Sequence, residues 1–575
     1  MTWHAMPDFD SYERARGEFE WSLPDEYNPA VDCLSKHESP PPGERTALVD
    51  AATDETYTYT DIDERSGRLA NALDAQGVEP GDRVGVVAGQ RVETPLAHLA
   101  CWKLGAVSVP MTTLYGDEAL AYRLGDADAV AAVFDPTVRD ALASASGDCP
   151  DLALAVELDA RPWYVGDQDA SDSDDDGTSR DASRSDADAD DFDCDVVDYE
   201  SLVAGHSPER DPYDATPSTD SVVMYTSGST GPPKGVRHGH AMWAGRAAAA
   251  YNFFGGTLGA DAVTWTPADW AWGSALGALL FGTWHYGGTV VAAPTRGFDP
   301  AAAFELLETH DVTGALVAPT GLRMMMSENA DAYDLALDVV ASAGEPLTPE
   351  ILEWADEALD GVPVNEYYGQ TELNLVVANA ARWFETRPGS MGKPLPGYDV
   401  TVLDSDTREE VPPGEIGEIA VRPHDERVVF TEYLNRPDAT ADKREGEWYL
   451  TGDLAHRDAE GYLWFESRAD DVILTSGYRV GPLEVEETLL EHDDVEQVGV
   501  IGVPDETRGE RIKAYVELVD GTAGDDDLRA ELRNLARDRL AAYEYPREIE
   551  FADDLPMTSS GKIRRVELRE REDVA

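Results

Sequence analysis

The chain has 575 residues, too many for one hydrophobic core, so we expect a large unit and at least one smaller one. Asp and Glu number 114 against 45 Lys and Arg, which gives a formal net charge of −69 at pH 7. A field this negative repels phosphate backbones and anionic lipids, so direct binding to nucleic acid or to a membrane surface is disfavoured.

The acidic residues are spread along the whole chain, and only seven of the 45 basic residues are lysine. In molar salt the Debye length shrinks to roughly 3 Å, which screens most of the self-repulsion. We therefore expect adaptation to a salt-filled cytoplasm and a halophilic, archaeal source. The N-terminus has no signal-peptide pattern. Four cysteines without C-x-x-C spacing fit a reduced cytosol: Cys33, Cys101, Cys149 and Cys194.

Strands and helices alternate from Ala47 onward. TYTYT predicts a short strand, an Asp then caps an amphipathic helix, DRVGVVAGQ predicts a strand, and ETPLAHLACWKLGAV predicts a helix. This alternation favours parallel sheets in an α/β architecture. Residues 166–195 interrupt it with Asp, Ser, Ala and Gly, a composition that cannot bury a core, and we expect a disordered acidic insertion there.

The remaining chain divides into three stretches. SVVMYT predicts a strand that ends in a Gly/Ser/Thr loop. Residues 270–295 carry no charged side chain, but Gly287 and Gly288 split them, so a buried helix and a buried strand are expected rather than a membrane span. Short strands from Pro394 predict a small β subdomain. Past Val472, helix and strand patterns over about 100 residues predict a separate small α/β domain.

Residues 225–235 read Tyr-Thr-Ser-Gly-Ser-Thr-Gly-Pro-Pro-Lys-Gly and form the strongest motif in the chain. Small residues let backbone N–H groups approach anionic oxygens, the hydroxyls add donors, and Lys234 adds positive charge. A Gly/Ser-rich turn is often only a loop, but this order of residues is specific. It resembles the signature of the ANL superfamily of adenylate-forming enzymes, which includes acyl-CoA synthetases, luciferases and peptide-synthetase adenylation domains.

Further motifs of that superfamily follow in its order, so that the resemblance runs from about residue 45 to 570. They are SAGEPL at 342–347, YYGQTE at 367–372, TGD at 451–453, SRADDVI at 467–473, SGYR at 476–479 and SGK at 560–562. Ser467 replaces the usual Gly, and Leu373-Asn374 replaces the usual Thr-Gly. The resemblance implies an adenylation domain over 1–469 and a mobile C-terminal lid over 470–575.

The resemblance also implies the first half-reaction, in which a carboxylate attacks the α-phosphate of ATP and pyrophosphate leaves. Lys562 would bridge the two anions, Thr371 would contact the α-phosphate, and Glu372 would bind Mg²⁺. The residues implied for nucleotide and CoA binding are Thr226, Ser227, Gly228, Ser229, Thr230, Gly231, Lys234, Gly344, Glu345, Pro346, Glu366, Tyr367, Tyr368, Gly369, Gln370, Thr371, Asp453, Arg468, Arg479, Ser476, Gly477, Tyr478 and Arg508.

In the second half-reaction the thiol of CoA attacks the acyl-adenylate. The resemblance implies that the lid turns about Asp470 and exchanges Lys562 for the loop at 476–478. Relatives specific for acetate carry Trp where this chain has Gly369. We expect the missing indole to leave room, with Trp272 as a gate, for medium-chain, branched or aryl acids.

Two other functions stay open. A freestanding enzyme that loads a carrier-protein thiol would exchange pyrophosphate without turning over CoA. A nucleotide- or acyl-binding paralogue without chemistry would release no pyrophosphate, but Lys562, Glu372 and Asp453 argue against it. The oligomeric state is not set by the sequence.

Overall fold

The fold is known from a computed structural model. It describes the chain except for residues 1–2, 35, 37–43, 165–188, 227–231, 296, 345–346, 470, 476–477, 493, 506–507, 520, 541–543, 558–562, 573 and 575, and except for the side chains of residues 190, 478, 479 and 538. The chain forms two compact units. The first consists of residues 1–227, 233–399 and 422–443, and the second of residues 228–232, 400–421 and 444–575.

Helices and strands alternate through most of the chain. The α-helices are α1 (Tyr12–Glu18), α2 (Pro29–Leu34), α3 (Tyr59–Ala75), α4 (Glu93–Leu104), α5 (Asp117–Asp126), α6 (Arg139–Ser146), α7 (Tyr199–Val203), α8 (Ala241–Phe253), α9 (Gly282–Tyr286), α10 (Pro300–Thr309), α11 (Pro319–Met325), α12 (Pro349–Ala358), α13 (Pro437–Asp442), α14 (Pro482–Leu490), α15 (Asp526–Arg539) and α16 (Arg565–Arg571). The strands are β1 (Thr46–Asp50), β2 (Glu55–Thr58), β3 (Arg83–Val87), β4 (Val107–Met111), β5 (Ala129–Phe134), β6 (Leu154–Glu157), β7 (Asp195–Asp198), β8 (Asp220–Thr226), β9 (Lys234–Gly239), β10 (Val263–Trp265), β11 (Thr289–Ala292), β12 (Gly314–Leu316), β13 (Val339–Ser342), β14 (Val364–Gln370), β15 (Asn374–Ala378), β16 (Lys393–Pro394), β17 (Tyr398–Leu403), β18 (Ile416–Pro423), β19 (Phe430–Tyr433), β20 (Arg444–Glu445), β21 (Trp448–Arg457), β22 (Leu463–Arg468), β23 (Ile473–Thr475), β24 (Tyr478–Val480), β25 (Val495–Asp505), β26 (Gly509–Leu518) and β27 (Glu548–Ala552).

Two large sheets form the first unit. One has the order β16-β15-β14-β13-β12-β10-β11-β1-β2, and the other β19-β9-β8-β4-β3-β5-β6-β7. Neighbouring strands inside both sheets run parallel, and the antiparallel pairs lie toward the edges. The strands β4 and β13 are buried along their whole length, as parallel strands covered on both faces are. The predicted α/β fold with parallel sheets is confirmed.

Helices α4 and α8 are apolar on nearly every face. Every residue of α4 is buried, and so is every residue of α8 except Tyr251. A helix that is hydrophobic all round belongs inside a protein. By contrast, α3 buries one face, and its first turn is held by a capping box in which Thr58 and Asp61 satisfy each other's backbone N–H groups.

The uncharged stretch 270–295 forms a π-helical segment (Ser274–Phe281), then α9, then β11. The predicted buried helix and buried strand are therefore confirmed. Within the part of the chain that the structure describes, no helix is long and apolar enough to cross a membrane.

The acidic insertion was expected to extend to about residue 195, whereas the structure describes an ordered chain from residue 189. Residues 166–188 lie outside the described residues, but 189–195 are ordered and lead into β7. Phe192 supplies the reason, because its ring is 8% exposed and packs 6.1 Å from the ring of Phe134. One aromatic side chain thus anchors the end of an otherwise acidic run.

The second unit contains two smaller sheets. One has the order β17-β18-β21-β20 with β22 beside β21, and the other β24-β23-β26-β25 with β27 beside β26. Helices α14 and α15 pack on the latter sheet through an apolar cluster that includes Val485, Leu489, Leu528 and Leu532. The predicted small β subdomain and small α/β domain are both present.

Candidate active site

The predicted phosphate loop connects two paired strands. Strands β8 and β9 are antiparallel, and Thr226 pairs with Lys234 at the loop end of the hairpin. Both residues are half-buried. The loop residues between them, Ser227, Gly228, Ser229, Thr230 and Gly231, lie outside the described residues. The hairpin therefore fixes where the loop leaves and re-enters the sheet.

A polar network braces this hairpin next to its loop. The hydroxyl of Tyr225 donates to Asp126 at 2.8 Å, and Asp126 accepts two hydrogen bonds from Arg436 at 2.8 and 3.2 Å. Arg436 also donates to the hydroxyl of Tyr122, which itself donates to the carbonyl of Pro233. A fork of two hydrogen bonds from Arg to a carboxylate fixes geometry as well as adding energy. Sequence reasoning found none of these braces.

The YYGQTE motif lies at the end of β14 and in the turn to β15. Asn374, which ends the turn, has a φ of +64° and donates through its amide to the carbonyl of Met242. Few side chains tolerate a left-handed backbone, but Asn is one of them. This explains how Asn374 stands where the superfamily usually has Gly. The turn holds Thr371 and Glu372, and the carbonyl of Thr371 lies 2.8 Å from Nε2 of His238.

Tyr433 connects the predicted metal ligand with the phosphate-loop lysine. Its hydroxyl donates a hydrogen bond to Oε1 of Glu372, and its ring centroid lies 5.2 Å from Nζ of Lys234. Glu372 itself is 7% exposed. A cation at about this distance over an aromatic face is attracted by the ring. The structure thus brings Lys234 and Glu372 together through a residue that sequence reasoning missed.

The single carboxylate of Glu372 fits a magnesium ion that is shared with a nucleotide. Among the described residues there is no group of three or more His, Cys, Asp or Glu side chains able to hold a metal. Mg²⁺ is commonly held by one or two carboxylates together with substrate phosphates, so a single buried Glu beside a phosphate loop is sufficient.

The predicted adenine-flanking residues lie at one edge of the parallel sheet. β13 runs beside β14 with Ser342 opposite Glu366, so Gly344 follows at the same edge. Gly344 has a φ of +102°, a conformation that requires glycine. Glu345 and Pro346 lie outside the described residues. Tyr367 points into the core, where its ring stacks on Phe253 at 4.3 Å, so its predicted contact with adenine is wrong. Tyr368, the next residue along the strand, is half-buried and remains a candidate.

The predicted ribose contacts come together in the second unit. Asp453 on β21 is 5% exposed and pairs in register with Arg468 on β22. Nη1 of Arg468 lies 3.2 Å from Oδ1 of Asp453. Between Thr451 and Asp453, the N–H of Gly452 donates to Glu418 at 2.9 Å. Glu418 is a supporting residue that no sequence signal indicated.

Arg508, the predicted contact for a CoA phosphate, lies near two other arginines. Burial lowers the pKa of Arg547, and the positive charges of Arg508 and Arg537 lower it further. Arg537 and Arg547 both face the ring of Tyr545, at 5.3 and 3.7 Å. The second unit therefore has a local cationic cluster in a strongly acidic chain, and sequence reasoning had found only Arg508.

The structure does not show the open space that was predicted beside Gly369. A side chain at Gly369 would meet the carbonyl oxygen of Asn374 at 2.0 Å and Cα of Leu375 at 2.7 Å. The space beside Gly369 is thus filled by the backbone of β15, and the prediction that its missing side chain opens the pocket is wrong. Trp272 is half-buried, and its backbone N–H donates to the carbonyl of Asp269.

Several predicted residues cannot be placed. Lys562, Asp470, Ser476 and Gly477 lie outside the described residues. For Tyr478 and Arg479 the structure describes the backbone in β24, where Arg479 pairs with Leu474, but not the side chains. Their roles stay predictions.

Comparisons with known proteins agree with this geometry. The model for AMP-binding enzymes matches residues 35–434, and that for the AMP-binding enzyme C-terminal domain matches residues 484–562. The mitochondrial acyl-coenzyme A synthetase ACSM3 of Mus musculus is 31% identical, over 98% of this chain and 94% of that protein. The acetyl-coenzyme A synthetase of Bacillus subtilis is 32% identical, over 96% of this chain and 94% of that protein. The solved anthranilate CoA ligase AuaEII, in complex with anthranoyl-AMP, has a TM-score of 0.82 and 26% identity and covers 96% of this chain and 98% of its own.

Proposed function

Because the chain belongs to the AMP-binding enzyme family, we propose that it is an acid:CoA ligase that forms AMP. It activates a carboxylic acid with ATP, releases pyrophosphate, and transfers the acyl group to CoA. The observation that carries this proposal is the contact of Tyr433 with both Glu372 and Lys234. That contact gathers a carboxylate for Mg²⁺ and a cation for phosphate at the end of one hairpin.

The first half-reaction brings two anions together, so charge neutralisation and positioning do most of the work. Lys234 neutralises the outer phosphates, and Thr371 orients the α-phosphate. Glu372 would hold a magnesium ion, which would supply further positive charge at the phosphates. Lys562 neutralises the attacking carboxylate as it approaches. Asp453 accepts hydrogen bonds from the ribose, and Arg468 keeps that carboxylate in place.

The second half-reaction requires the C-terminal lid, which we assign to residues 470–575, to turn about Asp470. Residues 476–478 then replace Lys562 beside the acyl group, and Arg479 and Arg508 contact phosphates. The cationic cluster of Arg508, Arg537 and Arg547 supports a phosphate-rich thiol substrate such as CoA. We place its action in a reduced, salt-filled cytoplasm. The four free cysteines support a reduced compartment, and the net charge of −69 supports high salt.

The test is a panel of mono- and dicarboxylic acids from C2 to C12 plus benzoate, with ATP, Mg²⁺ and CoA in molar KCl. AMP and acyl-CoA are expected in equal amounts. Pyrophosphate exchange without acyl-CoA formation would favour an enzyme that loads a carrier protein. No pyrophosphate release with any acid would overturn the proposal. Lys562→Met should abolish adenylation, whereas the matched variant Lys443→Met should not.

A further inference from the structure

Arg246, on α8, is a buried cation that forms no ion pair with any described carboxylate. Its side chain is 2% exposed, and its one hydrogen bond within the described part of the chain joins Nε to the sulfur of Met242 at 3.1 Å. No described carboxylate pairs with its guanidinium. This is unusual in a chain with 114 acidic residues.

The other buried cations all have conventional partners. Arg91 pairs with Glu93 and Asp135, each at 2.8 Å. Lys103 pairs with Asp63, and Lys513 with three glutamates. Arg123 donates to the carbonyl of Ala119 and lies 3.9 Å from the ring of Tyr115. Arg246 alone among these five has neither a carboxylate nor a backbone carbonyl as partner.

An unpaired charge in a protein interior is strongly unfavourable. Burial lowers the pKa of Arg246 only to about 10, so the guanidinium stays charged at neutral pH. A group that is charged and desolvated but unpaired in the free protein gains most from an anion that arrives with a ligand.

Arg246 lies beside Trp272, the predicted gate of the acid pocket, and two tyrosine hydroxyls are near it. Its guanidinium lies against Gly273, where a Cβ would meet Nη2 at 2.8 Å, so the residue after Trp272 must be small. Gly277, in the π-helical segment, faces the stem of the same side chain. The hydroxyls of Tyr367 and Tyr398 lie near enough to interact with its charge. These neighbours suit a ligand with oxygen atoms better than a purely hydrocarbon one.

We propose that Arg246 is the specificity-determining cation of the acid pocket and that the acid substrate carries a second carboxylate, which Arg246 binds. The proposal rests on the proposed function and names its substrate class. Lys562 is the cation assigned to the reacting carboxylate, whereas Arg246 lies inside the core of the first unit. A guanidinium and a carboxylate form two parallel hydrogen bonds, so the second carboxylate would also fix the orientation of the acid.

Discrimination follows from the same pairing. A monocarboxylic acid of equal length would place methyl or methylene groups against an unpaired guanidinium. Sites built to hydrogen-bond a substrate group reject analogues that lack it by large factors, and about 10²-fold or more in kcat/KM is expected here. Replacing the guanidinium by an apolar side chain should reverse the preference.

The experiment compares matched acids in molar KCl: succinate with butyrate, glutarate with valerate, adipate with hexanoate and pimelate with heptanoate. AMP formation is measured for the wild-type chain and for Arg246→Met, Arg246→Lys and the exposed control Arg14→Met. We expect the wild type and Arg14→Met to prefer at least one dicarboxylate, Arg246→Met to prefer the monocarboxylates, and Arg246→Lys to keep the wild-type preference at a higher KM.

If Arg246→Met fails to fold, Arg246→Gln takes its place, and thermal shifts of the wild type with each acid give a readout independent of turnover. A wild-type preference for monocarboxylates would overturn the substrate class while leaving the proposed function intact. An equal loss on both sets in the Arg246 variants would also overturn it, because Arg246 would then serve the reacting carboxylate. No AMP from any acid would instead overturn the proposed function.

Discussion

The hydroxyl of Tyr433 donates a hydrogen bond to the carboxylate of Glu372 while the ring of the same residue faces Lys234. Glu372 and Tyr433 are 61 positions apart and meet because the backbone N–H of Phe430 donates to the carbonyl of Glu372 at 2.8 Å. The strand that carries Tyr433, β19, pairs with β9, which begins at Lys234. One edge strand therefore aligns the carboxylate with the phosphate-loop lysine.

Tyr433→Phe removes the hydroxyl and keeps the ring under Lys234. A hydrogen bond to a charged group contributes about 1.5–3 kcal/mol, so we expect ATP–pyrophosphate exchange to fall by at least about tenfold and the Mg²⁺ requirement to rise. Exchange rates measured against Mg²⁺ concentration test this. The control is Tyr333→Phe, whose ring stacks on Phe304. An unchanged Mg²⁺ dependence in Tyr433→Phe would contradict the role given to the hydroxyl.

Arg436→Met removes the hydrogen bonds to Asp126 and Tyr122, which brace the hairpin next to the phosphate loop. Asp126 would then keep only the hydroxyl of Tyr225. We expect KM for ATP to rise about tenfold with a smaller change in kcat, because the loop loses its support but not its own groups. Steady-state kinetics measure KM for ATP and kcat separately and so test this expectation. Arg427→Met, which breaks only a pair with nearby Asp425, should leave both constants close to the wild type.

His98→Leu should reduce the sensitivity of the protein to acid. His98 is fully buried, has no hydrogen-bond partner among the described residues, and has its pKa lowered by burial to about 3. Unfolding restores a pKa near 6.5, so the unfolded state binds more protons and stability falls as pH drops below about 6.5. The free energy lost through this residue between pH 8 and pH 5 is about 2 kcal/mol.

Denaturant unfolding of the wild type and His98→Leu at both pH values measures that difference. Leucine has a similar volume and no proton to bind, so the variant should lose about 2 kcal/mol less on going to pH 5. Parallel pH dependence of the two proteins would show that His98 does not titrate as described.

The sequence predicted those parts of the fold and site that depend on local pattern. Apolar runs bounded by turns predicted β3, β8 and the strands of the second unit, and the motifs that resemble the superfamily implied a shared site for Asp453 and Arg468. In each case the relevant signal lies within a few residues of the element itself.

The rest could not be predicted because it depends on contacts between distant segments. Tyr433 and Arg436 lie in a stretch without a recognisable motif and act on residues 61 and 310 positions away. The expectation at Gly369 failed for a related reason. A missing side chain opens a pocket only if nothing else fills the space, and the backbone of Asn374 fills it.

Stability should rise with salt over the range 0.1 to 2 M KCl. Like charges are spread along the chain, and screening at high ionic strength weakens their repulsion. The six lysines that the structure describes are all buried or half-buried, so the charged side chains that it shows fully exposed are those of Arg, Asp and Glu. The unfolding midpoint measured at increasing KCl tests this expectation. A midpoint that falls or stays level would contradict adaptation to a salt-filled cell.

Arg565→Met should weaken the C-terminal part of the chain and adenylation together. Arg565 opens α16, three residues after Lys562, and pairs with Glu486 at 2.6 Å and with Asp471 at 3.2 Å. Both carboxylates are buried, at 7% and 8% side-chain exposure, and Asp471 follows the predicted hinge residue. Breaking a buried pair from one side leaves an uncompensated charge.

The expected loss is about 2 kcal/mol, less than for a fully broken pair, because Arg569 still pairs with Asp471 at 2.7 Å. Denaturant unfolding measures this loss, and ATP–pyrophosphate exchange should fall because α16, which begins three residues after Lys562, loses its anchor. The neighbouring variant Arg564→Met removes only an exposed pair with Glu567, so it should change stability by less than about 0.5 kcal/mol. If both variants behaved alike, the ion pairs of Arg565 with Glu486 and Asp471 would not be what holds α16 in place.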